Sequence, residues 1–175
     1  MGFAFEFPLS NAEENVRLVV YSAAAFLVPF LLEGPQLLVG TIVNAMLVLA
    51  ALDFRDSRVL PVIFLPSVAA LSRGVVFGPF TPLLAVMMPF IWAGNAALVF
   101  GIRRLVLAGI NAPSSVAVAA CAKSLTLFVP AYVLVSASIL PSLFLGAMGI
   151  VQLVTAIIGG ALALLVWRVQ RNAPG

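Results

Sequence analysis

The chain has 175 residues, of which 63% are hydrophobic and only 9% charged, where a soluble domain carries roughly a quarter charged residues. With a mean hydropathy of +1.21, this composition excludes an ordinary soluble globular domain and is that of an integral membrane protein of one domain. With no His and a single Cys, Cys121, a Cys/His zinc centre, an iron–sulfur cluster, Ser-His-Asp or Cys-His catalysis and an intrachain disulfide are all ruled out. The formal charge of +3 comes from a shortage of acids. The basic residues are scattered, so no nucleic-acid patch is visible.

Residues 1–15 form a polar N-terminal segment without the basic stretch of a signal peptide, so the first hydrophobic segment is expected to be retained as a spanning helix. Ser10 with Glu13 reads as a capping box, with Pro8 just upstream. A spanning helix needs about 20 mostly apolar residues, and six such segments are expected, over 16–32, 36–52, 59–72, 81–104, 114–138 and 146–168. The first is ended by Glu33-Gly34-Pro35 and the second by Asp53-Phe54-Arg55-Asp56, while the third is short and interrupted by Pro61 and Pro66. A Gly/Pro-rich turn, Gly74 to Pro82, joins the third to the fourth, and Asn111-Ala112-Pro113 is the entry turn of the fifth. Between Lys123 and Arg168 lie 44 uncharged residues, enough for two helices, with the break at Ser136, Ser138 and Pro141-Ser142.

With a cytoplasmic N-terminus, the inside segments hold Arg17, Arg55, Arg58, Arg103, Arg104, Arg168 and Arg171, and the outside segments only Arg73. That bias orients the bundle. The expected fold is an all-α integral membrane protein of six transmembrane helices with both termini cytoplasmic. It divides into a segment at 1–15, a helical domain at 16–169 and a tail at 170–175.

Lys123 is the most informative single residue. It lies well inside the fifth helix, where a cation near the bilayer centre costs about 2.5–3.5 kcal/mol and marks function by default. The bland alternative is a lysine that snorkels or pairs with a carbonyl. The stretch from Leu65 to Asn95 reads as one wall of a small-molecule site. Trp92 and Asn95 share a helix face, and a buried Asn needs hydrogen-bond partners, supplied by a ligand or by a neighbouring helix. Arg73, Glu33 and Gln36 sit on the outer turns, as an entrance or as solvated loop charges. Asn44 and Gln152 are lone intramembrane amides. On the last helix Gly149, Gln152, Ala156, Gly159 and Ala163 form a small-residue face, read as packing first and with Gln152 as a ligand contact second. Ser22, Ala23, Ala24 and Ala25 make a small-residue patch for the bundle or for a partner protein.

Together with the segments Leu38-Val39-Gly40-Thr41-Ile42-Val43-Asn44-Ala45, Leu65-Pro66-Ser67-Val68-Ala69-Ala70-Leu71, Met88-Pro89-Phe90-Ile91-Trp92-Ala93-Gly94-Asn95 and Gln152-Leu153-Val154-Thr155-Ala156-Ile157-Ile158-Gly159-Gly160, this pattern resembles the substrate-binding S component of energy-coupling factor transporters. The resemblance spans nearly the whole chain in length and topology. It implies capture of a vitamin-like micronutrient on the outer side of the cell membrane, with uptake driven by a membrane coupling protein and two cytoplasmic ATPases. It implies no cofactor, no catalysis by this chain and no nucleic acid among its partners. By position it implies a substrate site at Glu33, Gln36, Arg73, Trp92, Asn95, Lys123 and Gln152. The family's Ala-x-x-x-Ala docking pattern is absent, since Leu27, Val28 and Pro29 lie four beyond Ala23, Ala24 and Ala25.

Two other readings fit the same composition: a non-transport membrane scaffold or assembly protein, and a stand-alone small-solute permease or membrane enzyme, the enzyme being disfavoured by the lack of His and of paired intramembrane carboxylates. Within the transport reading, Arg73 and Lys123 against Glu33 favour a solute with a carboxylate or phosphate, and Trp92 allows a ring.

Overall fold

A computed structural model of the chain describes residues 11–32, 36–54, 57–74 and 77–172. These residues form helices α1 (Asn11–Leu31), α2 (Gln36–Asp53), α3 (Leu60–Arg73), α4 (Leu84–Leu107), α5 (Ala112–Ser136), α6 (Leu143–Met148) and α7 (Ile150–Asn172). No strand occurs among the described residues. Among the described residues, five stretches are long and apolar enough to cross a membrane: Ala12–Leu31, Gln36–Asp53, Gly78–Leu107, Ala112–Ser136 and Leu143–Gln170. At 14 residues, α3 is too short to count by length alone.

The boundaries follow local chemistry. The first spanning segment was expected from Val16, but helix is already present at Asn11. Ser10, the expected cap, lies outside the described residues. α5 starts two residues before the expected Ser114, because the Asn111 side chain accepts from the Ser114 N–H at 2.9 Å and Pro113 sits in the first turn, where its missing N–H costs nothing. Ahead of α4, Gly78–Leu83 winds as a 3₁₀ segment. It is stitched by Thr81, whose Oγ1 accepts from the Phe77 N–H at 3.0 Å and donates to the Gly78 carbonyl at 2.8 Å. α3 ends at Gly74, which takes the left-handed conformation (φ 78°) that a residue with a Cβ avoids. The final span, expected as one helix from Gly146, is broken at Gly149 into α6 and α7. A side chain at Gly149 would lie 2.9 Å from the Phe128 ring, so the break lets the chain pass close to α5.

Cross-links between helix ends set the bundle's polarity. The Arg58 guanidinium, just before α3, reaches the Glu14 carboxylate on α1 at 2.8 Å, and Arg73, the last residue of α3, donates to the Phe30 carbonyl near the end of α1. α3 therefore runs alongside α1 in the same direction. Asp53, the last residue of α2, meets Arg17 of α1 at 2.9 Å, and Arg17 also reaches Gln170 of α7 at 3.3 Å. Arg103 of α4 reaches the carbonyls of Ala50 and Ala51, each at 3.3 Å. One end of the bundle thus gathers the starts of α1 and α3 and the ends of α2, α4 and α7. This end carries most of the arginines. Arg73 marks the other end.

The core at the basic end is built around α2 and α4, with Leu47, Val48, Leu98 and Ile102 fully buried. A second cluster at the opposite end packs Leu127 of α5 against Phe144 and Met148 of α6 and Met87 of α4. α7 is wedged between α2 and α5 by two adjacent glycines. A Cβ on Gly159 would lie 2.4 Å from the Thr41 carbonyl oxygen of α2, and one on Gly160 would lie 2.3 Å from a Val116 methyl of α5. Small residues permit this approach where lipid supplies no hydrophobic drive between helices. Large apolar side chains face outward, among them Val19 (67% exposed), Leu125 (62%) and Leu165 (62%), as expected of helices solvated by lipid.

Candidate functional site

α2 presents one stripe to the interior: Gln36, Val39, Gly40, Val43 and Asn44, spaced as one helix face. Facing it across the bundle are residues of α3, α4, α5 and α7, and together they enclose a cavity of about 440 Å³. Its mouth lies among the helix ends at the Arg73 side, where Leu32, Gln36, Arg73 and Phe77 line it. The Phe77 ring is held at the mouth by Phe144 of α6, centroid to centroid 4.8 Å. The floor lies in mid-bundle: Lys123 is eleven residues into α5, about 16 Å from its start.

The floor is a buried polar web. Lys123 Nζ donates to Asn44 Oδ1 at 2.6 Å and to Asn95 Oδ1 at 2.8 Å. The three residues are 2%, 1% and 2% exposed in the order Lys123, Asn44, Asn95. Neutral acceptors on the far sides fix how both amides point. Asn44 Nδ2 donates to the Gly40 carbonyl at 2.9 Å and to Thr155 Oγ1 at 3.1 Å, while the Thr155 hydroxyl donates onward to the Val151 carbonyl at 2.8 Å. Asn95 Nδ2 donates to the Ile63 carbonyl at 2.9 Å. Each amide therefore turns its oxygen to Lys123. Among the described residues no carboxylate pairs with this lysine; Arg17–Asp53 and Arg58–Glu14 are ion pairs elsewhere in the bundle. The Lys123 amine is thus held by two neutral amide oxygens.

Of the seven residues expected at the substrate site, five, Gln36, Arg73, Asn95, Lys123 and Gln152, line this one cavity. Trp92 stands behind the wall: its indole N–H donates to Ser67 Oγ at 2.7 Å, and its ring meets Phe64 edge-on at 5.1 Å. Ser67 itself lines the cavity, so Trp92 braces the site from one layer out. Glu33 lies outside the described residues. Asn44, noted from sequence only as a lone intramembrane amide, is a principal member of the floor, and Thr155 orients it. The available hint was spacing, since Asn44 falls on the face of α2 that carries Gln36 and Gly40. Among the four small residues of α1, Ala25 is fully buried in the core, Ser22 and Ala24 are partly buried and Ala23 is exposed. Four consecutive positions turn most of the way round a helix, so they do not share one outward surface.

Arg17, Tyr21 and Asp53 form a separate cluster at the basic end. Tyr21 donates to Asp53 Oδ2 at 2.6 Å and Arg17 to the same oxygen at 2.9 Å. Among the described residues there is no group of three His, Cys, Asp or Glu side chains able to hold a metal ion. No protein-family model, curated protein or solved structure matches this chain.

Proposed function

We propose that this chain is the membrane-embedded solute-capture subunit of an ATP-driven micronutrient uptake transporter, of the kind that the S component of energy-coupling factor transporters represents, and that it catalyses no reaction itself. The observation that carries the reading is the cavity of about 440 Å³ with the buried, amide-held Lys123 at its floor. Pockets for small organic ligands have this character: mostly apolar walls, a few convergent polar groups, and a volume of about 300–1,000 Å³. An ionisable residue kept inside a membrane bundle marks a solute path.

In this reading all six long helices cross the cell membrane. α3 starts beside the start of α1 and ends beside the end of α1, so it covers nearly the same depth despite its length. The arginine-rich end faces the cytoplasm, both termini lie there, and the cavity mouth opens outward. Solute binds from outside. A transmembrane coupling protein and cytoplasmic ATPases then tilt the loaded bundle to release it inward. The exposed side of α1, with Val19, Ala23 and Leu27, is the surface offered to that coupling protein.

The test is isolation from native membranes under mild detergent, followed by binding and uptake measurements. Co-purification of an ATPase pair, and solute uptake that stops when the ATPase is inactivated, are the expected results. Uptake into vesicles lacking any ATPase would mean a stand-alone permease. A protein whose stability responds to no solute, and which co-purifies with envelope enzymes, would be a scaffold.

A further inference from the structure

The cavity separates its charge from its apolar surface. Lys123 lies at the floor, Val39, Val43, Ile91 and Met148 line the walls, and Gln36 and Arg73 stand at the mouth. From Asn44 to Gln36 along α2 is eight residues, about 12 Å. An ammonium has three N–H donors. Two of those on Lys123 go to neutral amide oxygens, so an ammonium there has no counter-charge in those contacts and keeps one donor for the cavity it lines.

The amide groups limit what that charge can hold. Asn44 Nδ2 spends both of its N–H donors, on the Gly40 carbonyl and on Thr155, and Asn95 Nδ2 spends one of its two on the Ile63 carbonyl, so the two amides together have at most one N–H to add to the lysine's. A phosphate, with three terminal oxygens, needs several donors converging on it. A carboxylate is served by one ammonium donor and the charge behind it. We propose that the cavity takes an elongated monocarboxylate, its carboxylate on Lys123, its apolar body along the Val39, Val43 and Ile91 walls, and a hydrogen-bonding head at Gln36 and Arg73. This rests on the reading of the cavity as a solute site and names the class of solute.

The experiment uses the full chain in lipid nanodiscs and three probes that share length and a terminal hydroxyl: ω-hydroxyoctanoate, octanediol and ω-amino-octanol. Calorimetry is expected to show the acid binding at least about tenfold more tightly than the diol, a factor worth about 1.4 kcal/mol, with the amine weakest. Lys123→Met, which keeps the side-chain volume, should erase the preference for the acid over the diol. Lys123→Gln, neutral but still a donor, serves as the second variant should the first not fold. Equal binding of acid and diol, or a preference that survives loss of the charge, overturns the proposal. Native mass spectrometry of the protein from its own membranes separates that failure from failure of the underlying reading. A retained neutral or cationic small molecule overturns the solute class and leaves the cavity a solute site. No retained molecule and no binding of any probe overturns both.

Discussion

Asn95 joins Lys123 to the backbone of α3: its Oδ1 accepts from the lysine at 2.8 Å while its Nδ2 donates to the Ile63 carbonyl at 2.9 Å. Asn44 does the same on the other side, accepting from Lys123 at 2.6 Å and donating to Gly40 and Thr155. Five helices (α2, α3, α4, α5 and α7) therefore meet at one buried ammonium. The same contacts that hold the cation fix the depth and shape of the cavity floor.

Removing one acceptor should be costly, because the lysine stays buried and loses half of its partners. Asn95→Ala is expected to destabilise the bundle by about 2–3 kcal/mol, from the unmet donor and the lost bond to α3. Asn95→Asp should behave differently. A carboxylate at that position pairs with Lys123 but gives up the donor to the Ile63 carbonyl and sets an oxygen against it, so part of the destabilisation remains while the floor becomes neutral and acidic solutes are no longer held. Denaturant unfolding in detergent, read beside calorimetry with ω-hydroxyoctanoate, checks both. An Asp variant that still binds the acid at full strength would remove Lys123 from its role.

The glycine pair on α7 gives a contrast between two adjacent positions. At Gly159 the added Cβ would meet backbone, 2.4 Å from the Thr41 oxygen and 2.8 Å from the Ala45 nitrogen, and backbone yields only if α7 moves off α2. Gly159→Ala should therefore cost about 3 kcal/mol, at the upper end for overpacking. At Gly160 the clash is with a side-chain methyl of Val116 at 2.3 Å. Valine in a helix is stiff but can shift, and Gly160→Ala should cost about 1–2 kcal/mol. Thermal unfolding of the two variants in the same detergent gives the order.

The spans were legible in the sequence because lipid demands long apolar runs, and the charges between them read directly as turns. Lys123 was legible for the same reason: a lone cation in such a run has to be accounted for. Its partners were not. α2 is apolar nearly all round, so periodicity alone does not say which face carrying Asn44 points inward, and only the packing of Gly159 against Thr41 and Ala45 settles it. Trp92 shows the reverse case. Its shared face with Asn95 suggested ligand contact, but the indole N–H is taken by Ser67, a pairing that depends on how α3 and α4 cross. At Gly149, where the last span breaks, the backbone passes close to the ring of Phe128 on α5, a contact that no local pattern encodes.

At the basic end, Asp53 sits on the last turn of α2, where the helix dipole disfavours a negative charge. Tyr21 and Arg17 offset this by donating to the same oxygen, at 2.6 Å and 2.9 Å. Asp53→Ala strands both donors and should cost about 2–3 kcal/mol, whereas Asp53→Asn keeps an acceptor and should cost about 1 kcal/mol. Solute affinity should be unchanged in either, since Asp53 lies nine residues, about 14 Å, beyond Asn44 along α2. A fall in affinity without a fall in stability would show that the α1–α2 junction reports on the cavity.

The shortest long helix decides the topology. α3 has 14 residues, about 21 Å, and the 3₁₀ turn Ser57–Val59 that leads into it adds about 6 Å. The sum approaches the hydrocarbon thickness of about 30 Å, so α3 should cross. Cysteine labelling tests this directly, because Cys121 is the chain's only cysteine and Cys121→Ser gives a clean background. Ser57 and Ser72 are both exposed, at opposite ends of the segment. In intact cells a charged maleimide should label Ser72→Cys, and should reach Ser57→Cys only after the membrane is permeabilised. Labelling of both from the same side would leave five crossings and place the two ends of the chain on opposite faces of the membrane.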